Sequence, residues 1–389
     1  MLIDRPYYRK LLQESFEVPL IKVLTGQRRA GKSSLLRLIA QEQPTYILDM
    51  EDFSHHELNT TGKLHKHLIT KTSDYQVICI DEVQQVTGRE KVIISLNKQY
   101  PSIQRIVTGS NSHMLSSELT TLLRGRYIQI HVYPFNYTEF CRYEKCNPSY
   151  ESFELYIHKG SFPITYLFQE GQLRKQWIQD MIETIFLKDI IERYAIKQPE
   201  LLRELFLYII NNAGNITSLS SIVQTITSHS KTTLPTLQEY VTYLEQTYLI
   251  YRAELFDIRG KKIFDRLSKR YPSDHSWRRL FFGEFDSGSG KILENIIYMR
   301  ARSTGWSISV GRIHQQEVDF ILHKHGKTIY LQVAYLLSNE KVIAREFSSL
   351  EKIDDHWPKY IVSLDHINHG FIQTIPHINA RNLGDILEG

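Results

Sequence analysis

The sequence predicts an α/β protein whose first part is a parallel sheet with helices on both faces. Three observations carry this reading. The stretch GQRRAGKSS (26–34) sets Gly26, Gly31, Lys32 and Ser33 at phosphate-loop spacing, between a β-prone run and a helix-periodic run. The apolar run VICID (77–81) ends in two adjacent acids, Asp81 and Glu82. Further β-prone runs lie near residues 45–52 and 103–111.

The bulk properties bound what the chain can be. Its 389 residues exceed one ordinary core and suggest two to four domains. Hydrophobic content of 42% and charged content of 23% are those of a globular protein. The net charge of +4, from 47 basic and 43 acidic side chains, neither requires nor excludes a polyanionic partner. Charge is therefore read locally. Cys79, Cys141 and Cys146 offer no disulfide framework and no zinc spacing. The first twenty residues lack a signal peptide's apolar stretch, and no run of 18 apolar residues occurs. The expectation is a reducing cytoplasm and no membrane partner.

The loop's flanks supply the context its chemistry needs. IKVLT (21–25) reads as a strand, and SLLRLIAQ (34–41) as a helix with Leu35, Leu38 and Ile39 on one face. Glycines let backbone amides converge on phosphate oxygens, and the helix start adds partial positive charge. Gly26, Gln27, Arg28, Arg29, Ala30, Gly31, Lys32, Ser33 and Ser34 are thus assigned to holding ATP. Lys32 is expected at the β- and γ-phosphates and Ser33 on Mg²⁺.

At the end of the second motif, Asp81 is expected to complete the metal shell. Glu82, alternating in direction, is expected to polarise the attacking water. Adjacent Asp and Glu fit a hydrolase rather than a kinase. Gln84 faces either that water or solvent. In IQRIVTGSN (103–111), Thr108 or Ser110 is the candidate phosphate sensor, on a strand beside that of Asp81. Asp49, Glu51 and Asp52 read as ordinary strand-end acids. Arg124 and Arg126 flank Gly125 before a β run. Arg126 is the candidate for stabilising γ-phosphate charge, in cis or from a neighbouring subunit. The alternative is a solvated hairpin.

These motifs in this order, with LRGRY (123–127), PFNYTEF (134–140) and GSFP (160–163), resemble one group. It is the prokaryotic AAA+-like ATPases with a C-terminal domain of unknown function, related to the archaeal and STAND-type ATPases. The resemblance covers nearly the whole chain. It implies an additional-strand P-loop core over 1–145, a helical lid over 146–205, a winged helix over 206–265, and a small α/β domain similar to PD-(D/E)XK nucleases over 266–389. ATP and ADP with Mg²⁺ are the ligands expected from the loop and strand-end residues themselves, and a homo-oligomer is left open. For such proteins nucleic-acid handling, mobile-element function and defence have been suggested.

The middle of the chain reads accordingly. QWIQDMIETIFLKDIIERY (176–194) has Ile178, Ile182, Ile185, Phe186 and Ile190 at helical spacing. Lys188 and Asp189 are expected to pack the lid or approach the nucleotide. TSLSSIVQTI (217–226) is a helix capped by Ser218 or Ser220. TLPTLQEYVTYLEQTYLI (233–250) is the recognition helix if DNA or RNA is bound. YRAELF (251–256) and KKIFDR (261–266) are its wing strands.

From 259 to 279, eight basic residues (Arg259, Lys261, Lys262, Arg266, Lys269, Arg270, Arg278 and Arg279) interleave with Tyr271 and Trp277, and Phe281 follows. This composition fits a nucleic-acid surface and equally a solvated hairpin.

In the last region, Glu294 lies on a helix, and Glu317, Asp319 and Gln332 on strands. Asp319 and Gln332 match two positions of a metal-dependent nuclease, but Ala334 stands where its lysine belongs. Lys291, one turn before Glu294, substitutes only if it faces the acids. The site is therefore expected to be degenerate. The scattered histidines show no ligand spacing. The function expected is Mg²⁺-dependent ATP hydrolysis coupled to the C-terminal regions. The rivals are a nucleotide-gated scaffold with little turnover and an ATP-dependent nuclease.

Overall fold

A computed structural model describes residues 2–86, 88–110, 125–169, 171–226, 232–283 and 288–388. The chain forms two compact units: residues 1–134 with 246–248, and residues 135–245 with 249–389.

The first unit is built on five strands: β1 (Ile21–Thr25), β2 (Thr45–Asp49), β3 (Val77–Asp81), β4 (Gln104–Gly109) and β5 (Tyr127–His131). Their order is β2-β3-β4-β1-β5, and every pairing is parallel. β4 is thus inserted between the phosphate-loop strand and the strand of Asp81. β1 and β3 are buried at every position, as expected of a parallel sheet covered on both faces.

Alternation sorts the side chains to the two faces. Val23, Ile78, Ile80 and Val107 pack with Leu64, Leu68, Val92, Ile93 and Leu96 of helices Thr61–Ile69 and Arg89–Gln99. Leu24, Cys79 and Ile106 pack with Leu35, Leu36 and Ile39 of helix Lys32–Glu42, and with Tyr8 and Leu12 of helix Pro6–Ser15. Cys79 is a core residue, and burial pushes its thiol up.

The second unit begins with helices. Tyr137–Glu144 and Tyr150–Lys159 are followed by Gln172–Thr184, which runs on as a π-helical segment, Ile185–Ile191. Ile178, Ile182, Ile185, Phe186 and Ile190 are all buried, as their spacing predicts. Helices Pro199–Asn211, Leu219–Ile226 and Leu234–Gln246 complete this layer, packed around Phe206 and Trp277. Ser218 is the cap of the middle one, accepting from the Ser221 amide at 3.0 Å.

Nine strands follow: β6 (Thr217–Ser218), β7 (Ile250–Asp257), β8 (Lys262–Pro272), β9 (Ser307–Ile313), β10 (Gln316–Lys324), β11 (Lys327–Val333), β12 (Lys359–Ser363), β13 (Phe371–Ile372) and β14 (Ile375–Asn379). They make one mixed sheet, in order β13-β14-β12-β11-β10-β9-β7-β8-β6.

Helix Tyr137–Glu144, placed by sequence at the end of the ATPase core, clusters with the second unit. The boundary at 265/266 falls inside β8. The hairpin expected as a free wing shares the terminal sheet, because β7 pairs in parallel with β9. That pairing satisfies the second backbone edge of β7, which an isolated wing would leave to water.

One buried charge sits in the first sheet. Lys22, on β1, is fully buried. Its Nζ donates to the Val18 carbonyl at 2.9 Å and to the Gln104 side chain. Burial, assisted by Arg105, lowers its ammonium to about 8. Below that pH the lysine is charged whether folded or unfolded. Above it, up to the ordinary value of 10.5, only the unfolded chain holds the proton, so stability rises with pH. We predict that Lys22→Met flattens this rise. Denaturant titrations from about pH 8 to 10 check it, and parallel profiles for the two proteins would contradict it.

Candidate functional site

The phosphate loop is shaped by backbone geometry before any side chain acts. Gly26 has φ +142° and Gly31 has φ +100°. A Cβ on Gly26 would lie 2.1 Å from the Val132 carbonyl oxygen, so only glycine fits. The Lys32 ammonium is buried inside the loop and donates to the carbonyls of Gly26 and Gln27 at 2.9 and 3.1 Å. Arg28 reaches Glu51 at 3.2 Å, which gives that strand-end acid a role in tethering the loop. Arg29 and Ser33 are exposed, and Ala30 is buried.

Inserting β4 next to β3 joins the catalytic candidates. The Thr108 hydroxyl donates to the Asp81 carboxylate and accepts from the Glu82 amide at 3.0 Å. Glu82 adopts a left-handed φ of +50°. Its carboxylate lies 4.0 Å from the Lys32 ammonium and accepts from the Gln84 side chain. Of the two sensor candidates, Thr108 makes the contact; Ser110 is buried at the same strand end. Gln84 is not a solvated loop residue.

For Arg126 the in-cis alternative is corrected. It lies next to Tyr127, whose partner in the parallel β1–β5 pairing is Ile21, whereas the phosphate loop follows Thr25. The exposed Arg126 therefore sits at the opposite end of the sheet from its own chain's loop. Four residues of strand, on the order of 13 Å, separate the two levels. Arg124 and Asn111 lie outside the described residues.

Arg5 was not anticipated. It is buried, and its Nη1 and Nη2 donate to the Ala30 and Tyr133 carbonyls at 3.0 and 2.8 Å. Its guanidinium lies 4.3 Å from the centroid of the Tyr8 ring. It braces the loop from 25 residues upstream, which no local pattern announces.

The basic segment 259–279 is largely not a surface. Tyr271 and Trp277 are fully buried, as are most of Lys269, Arg270 and Arg278. Arg270 pairs with Glu245 at 3.3 Å, and Arg278 donates to the Ile210 and Asn211 carbonyls. The expected recognition helix, Leu234–Gln246, carries Glu239 and Glu245 and no basic residue, so it does not suit a phosphate backbone. Arg259, Lys261, Lys262 and Arg266 remain exposed at the β7–β8 hairpin.

Lys269 has a different task. Its ammonium is 1% exposed and contacts Glu294 at 2.6 Å, Asp319 at 3.4 Å, and Glu317. One oxygen from each of these acids lies within 4.8 Å of the others. β8 thus places a lysine among the three acids, which the sequence spacing did not announce, while Ala334 lines the cavity beside them. Lys291 lines the same cavity, of about 1130 Å³, together with Gln332 and Glu346.

Burial alone would lower the Lys269 ammonium, but Glu294, Asp319 and Glu317 outweigh it and hold it above the ordinary lysine value. Burial lifts Glu294 to about 7 against the pull of Lys269. Glu317 is raised for the same reason. Hydrogen bonds fix the acids: Tyr271 donates to Glu294 at 2.5 Å, and the Val333 amide to Asp319 at 2.8 Å. Gln332 accepts from the Asp319 amide at 3.4 Å and donates to Glu346 at 2.8 Å.

A glycine-built loop on a parallel strand, an inserted neighbour strand and paired acids beside it define a P-loop ATPase-type AAA protein. Residues 19–141 match the family described as "AAA domain", and residues 150–285 match "Domain of unknown function (DUF8612)". The second match crosses residue 265, as β8 does. The chain belongs to the family of an uncharacterized protein of Haemophilus influenzae, to which it is 30% identical over 382 residues, 93% of each chain. It is 28% identical over 373 residues to uncharacterized protein MJ1544 of Methanocaldococcus jannaschii, covering 88% of this chain and 81% of that one. Among solved structures, the Walker-type ATPase PABY2304 of Pyrococcus abyssi aligns over 72% of this chain and 95% of its own, at 18% identity and a TM-score of 0.49.

Removing the cation from the buried acids tests their ionisation. We predict that Lys269→Met lowers unfolding free energy at neutral pH by about 3 to 5 kcal/mol, because three carboxylates lose their counter-charge. Mildly acidic buffer should restore part of that loss by protonating them. A loss below about 1 kcal/mol, unchanged by pH, would show that the acids do not depend on the lysine.

Proposed function

We propose that the first unit hydrolyses ATP with Mg²⁺. The observation that carries this reading is the meeting of Lys32, from the helix start after β1, Asp81 and Glu82, at and just past the end of β3, and Thr108, from β4, at one end of the sheet. The loop suits a triphosphate: Gly26 leaves no room for a side chain, and a lysine already sits where anionic oxygens would replace backbone carbonyls. Residues 26–34 would hold the nucleotide, and Ser33 with Asp81 would hold the metal. Mg²⁺ supplies charge neutralisation on phosphoryl oxygens when bound.

Glu82 orients and deprotonates water, restrained by Gln84 and by the bond of its own amide to Thr108. Thr108 keeps Asp81 and Glu82 in fixed relation. Arg5 holds the loop's last turn against Tyr133. An arginine acting on the γ-phosphate, if Arg126, comes from a second copy of the chain.

The test is Glu82→Gln. ATP turnover should fall by about 10²-fold or more, while ATP affinity stays within a few-fold. Undiminished turnover would remove Glu82 from the chemistry. Absence of turnover in the parent protein, with intact binding, would favour the scaffold reading.

A second reading, metal-dependent cleavage of a phosphodiester by the C-terminal cluster, is favoured by Lys269. Three acids close enough for one cation, next to a buried ammonium, make a water-activating site, and Lys291 and Arg345 on the cavity wall suit an anionic backbone. Nucleic acid would reach it from the exposed hairpin cations Arg259, Lys261, Lys262 and Arg266. Incubation of single- and double-stranded DNA and RNA with Mn²⁺ or Mg²⁺ should give products that Asp319→Ala does not. Equal products from both proteins, or none from either, would end this reading.

A further inference from the structure

The end of the β7–β8 hairpin carries a smaller cavity of the C-terminal unit. It has about 350 Å³ and is lined by Asp257, Arg259, Gly260 and Phe264 of the hairpin and by Arg312 and His314 of β9 and the turn after it. Strand register puts this cavity on the acid cluster's face of the sheet. Arg312 is the direct partner of Glu317 on β10 and of Asp257 on β7. Paired residues point to the same face, as do residues two apart on one strand. Phe264 is paired with Leu255, two before Asp257, and Lys269 with Ala253, two before that. Phe264, Arg312, Glu317 and Lys269 therefore share one face, and the cavity adjoins the three acids through the Arg312–Glu317 pair.

Two features point to a ligand rather than to a solvated hairpin. Arg259, Lys261, Lys262, Arg266 and Arg312 crowd this end of the sheet, and among the described residues none of them forms an ion pair. Like charges set side by side repel, so the fold gains nothing from them. The two acids paired in register with Arg312 are committed elsewhere. Glu317 contacts Lys269, and Asp257 accepts from the Arg259 and Gly260 amides at 3.2 and 3.0 Å. The second feature is the set of flat side chains beside these charges. The Arg312 guanidinium lies 5.8 Å from the centroid of the Phe264 ring, and its Nε donates to the His314 carbonyl at 3.2 Å, which fixes its plane. Arg259 Nη1 contacts the His314 ring at 3.4 Å. Flat side chains beside unneutralised cations suit a base and its phosphates.

We propose that this cavity grips one nucleotide of a single-stranded DNA or RNA and leads the strand to the acid cluster. Arg312 and Phe264 hold the base, and Arg259, Lys261 and Lys262 hold the flanking phosphates. A duplex keeps its bases stacked inside and offers none to the cavity. The volume stands at the lower end of the small-ligand range, about 300–1,000 Å³, and limits the site to one base and its sugar. Where the strand goes next rests on the phosphodiester reading above; binding itself needs neither metal nor cleavage.

Fluorescence anisotropy of the full chain in EDTA tests this, with labelled strands of about 15 nucleotides. Single-stranded DNA or RNA should bind, a duplex of the same sequence should bind about fivefold more weakly or worse, and added salt should weaken binding. Lys261→Glu together with Lys262→Glu, both exposed, should lower affinity about tenfold or more. Arg312→Lys keeps the charge and removes the plane. It should lower single-strand affinity about threefold or more and leave duplex affinity unchanged. No binding at micromolar concentration and low salt, a duplex bound as tightly as a single strand, or affinity unchanged in both variants would overturn the proposal. Binding in EDTA without products in Mn²⁺ would support it and end the cleavage reading alone.

Discussion

The chemistry of the first unit depends on parallel strands β3, β4 and β1 ending at one level. Parallel pairing fixes that level by hydrogen bonds along the whole strand, not by contacts at the tip. Once Asp49 pairs with Asp81 and Thr25 with Gly109, the strand-end side chains have little freedom to miss one another. Thr108 exploits this most directly. A single hydroxyl spans Asp81 and the Glu82 amide, so the two acids are oriented by a residue from the neighbouring strand. The same rule works against Arg126. Its sequence position just before a β run places it where β5 begins, and in a parallel sheet that is the far end from the loop.

The second unit solves a different problem. Lys269, Glu294 and Asp319 are largely taken out of water together, with Glu317, 37% exposed, at the rim. The lysine comes from β8, the acids from a helix and from β10. Desolvating a lone ammonium or a lone carboxylate is unfavourable by several kcal/mol, so the buried lysine and its buried acids depend on one another. Burial of the stretch around Lys269 follows: although β8 lies second from the edge of the sheet, residues 268–272 of it are buried.

What could be read from the sequence was what is local. The phosphate loop, the apolar strands with terminal acids, and the amphipathic run containing Ile178 to Ile190 are contiguous patterns, and each formed where its periodicity placed it. Thr108 could be narrowed only to a pair with Ser110, because strand ends do not reveal which side chain faces the neighbour. Arg5 and Lys269 were invisible for a common reason. Arg5 lies 25 residues from the carbonyl it holds, and Lys269 lies 50 from Asp319. Only the fold supplies such distances. The basic stretch misled in the reverse sense: composition counts charges, whereas Glu245 and the acid cluster, distant in sequence, had already claimed two of them.

The order of the nine-stranded sheet has a consequence for behaviour in crowded solution. A twisted sheet this wide would leave two rows of amides and carbonyls open to templating by another molecule. Here each flank closes with a strand of only two residues, Thr217–Ser218 on one side and Phe371–Ile372 on the other. Where β8 extends past its short partner, Lys262 and Arg266 stand on the uncovered length. Short terminal strands and charged gatekeepers resist edge-to-edge fibril growth.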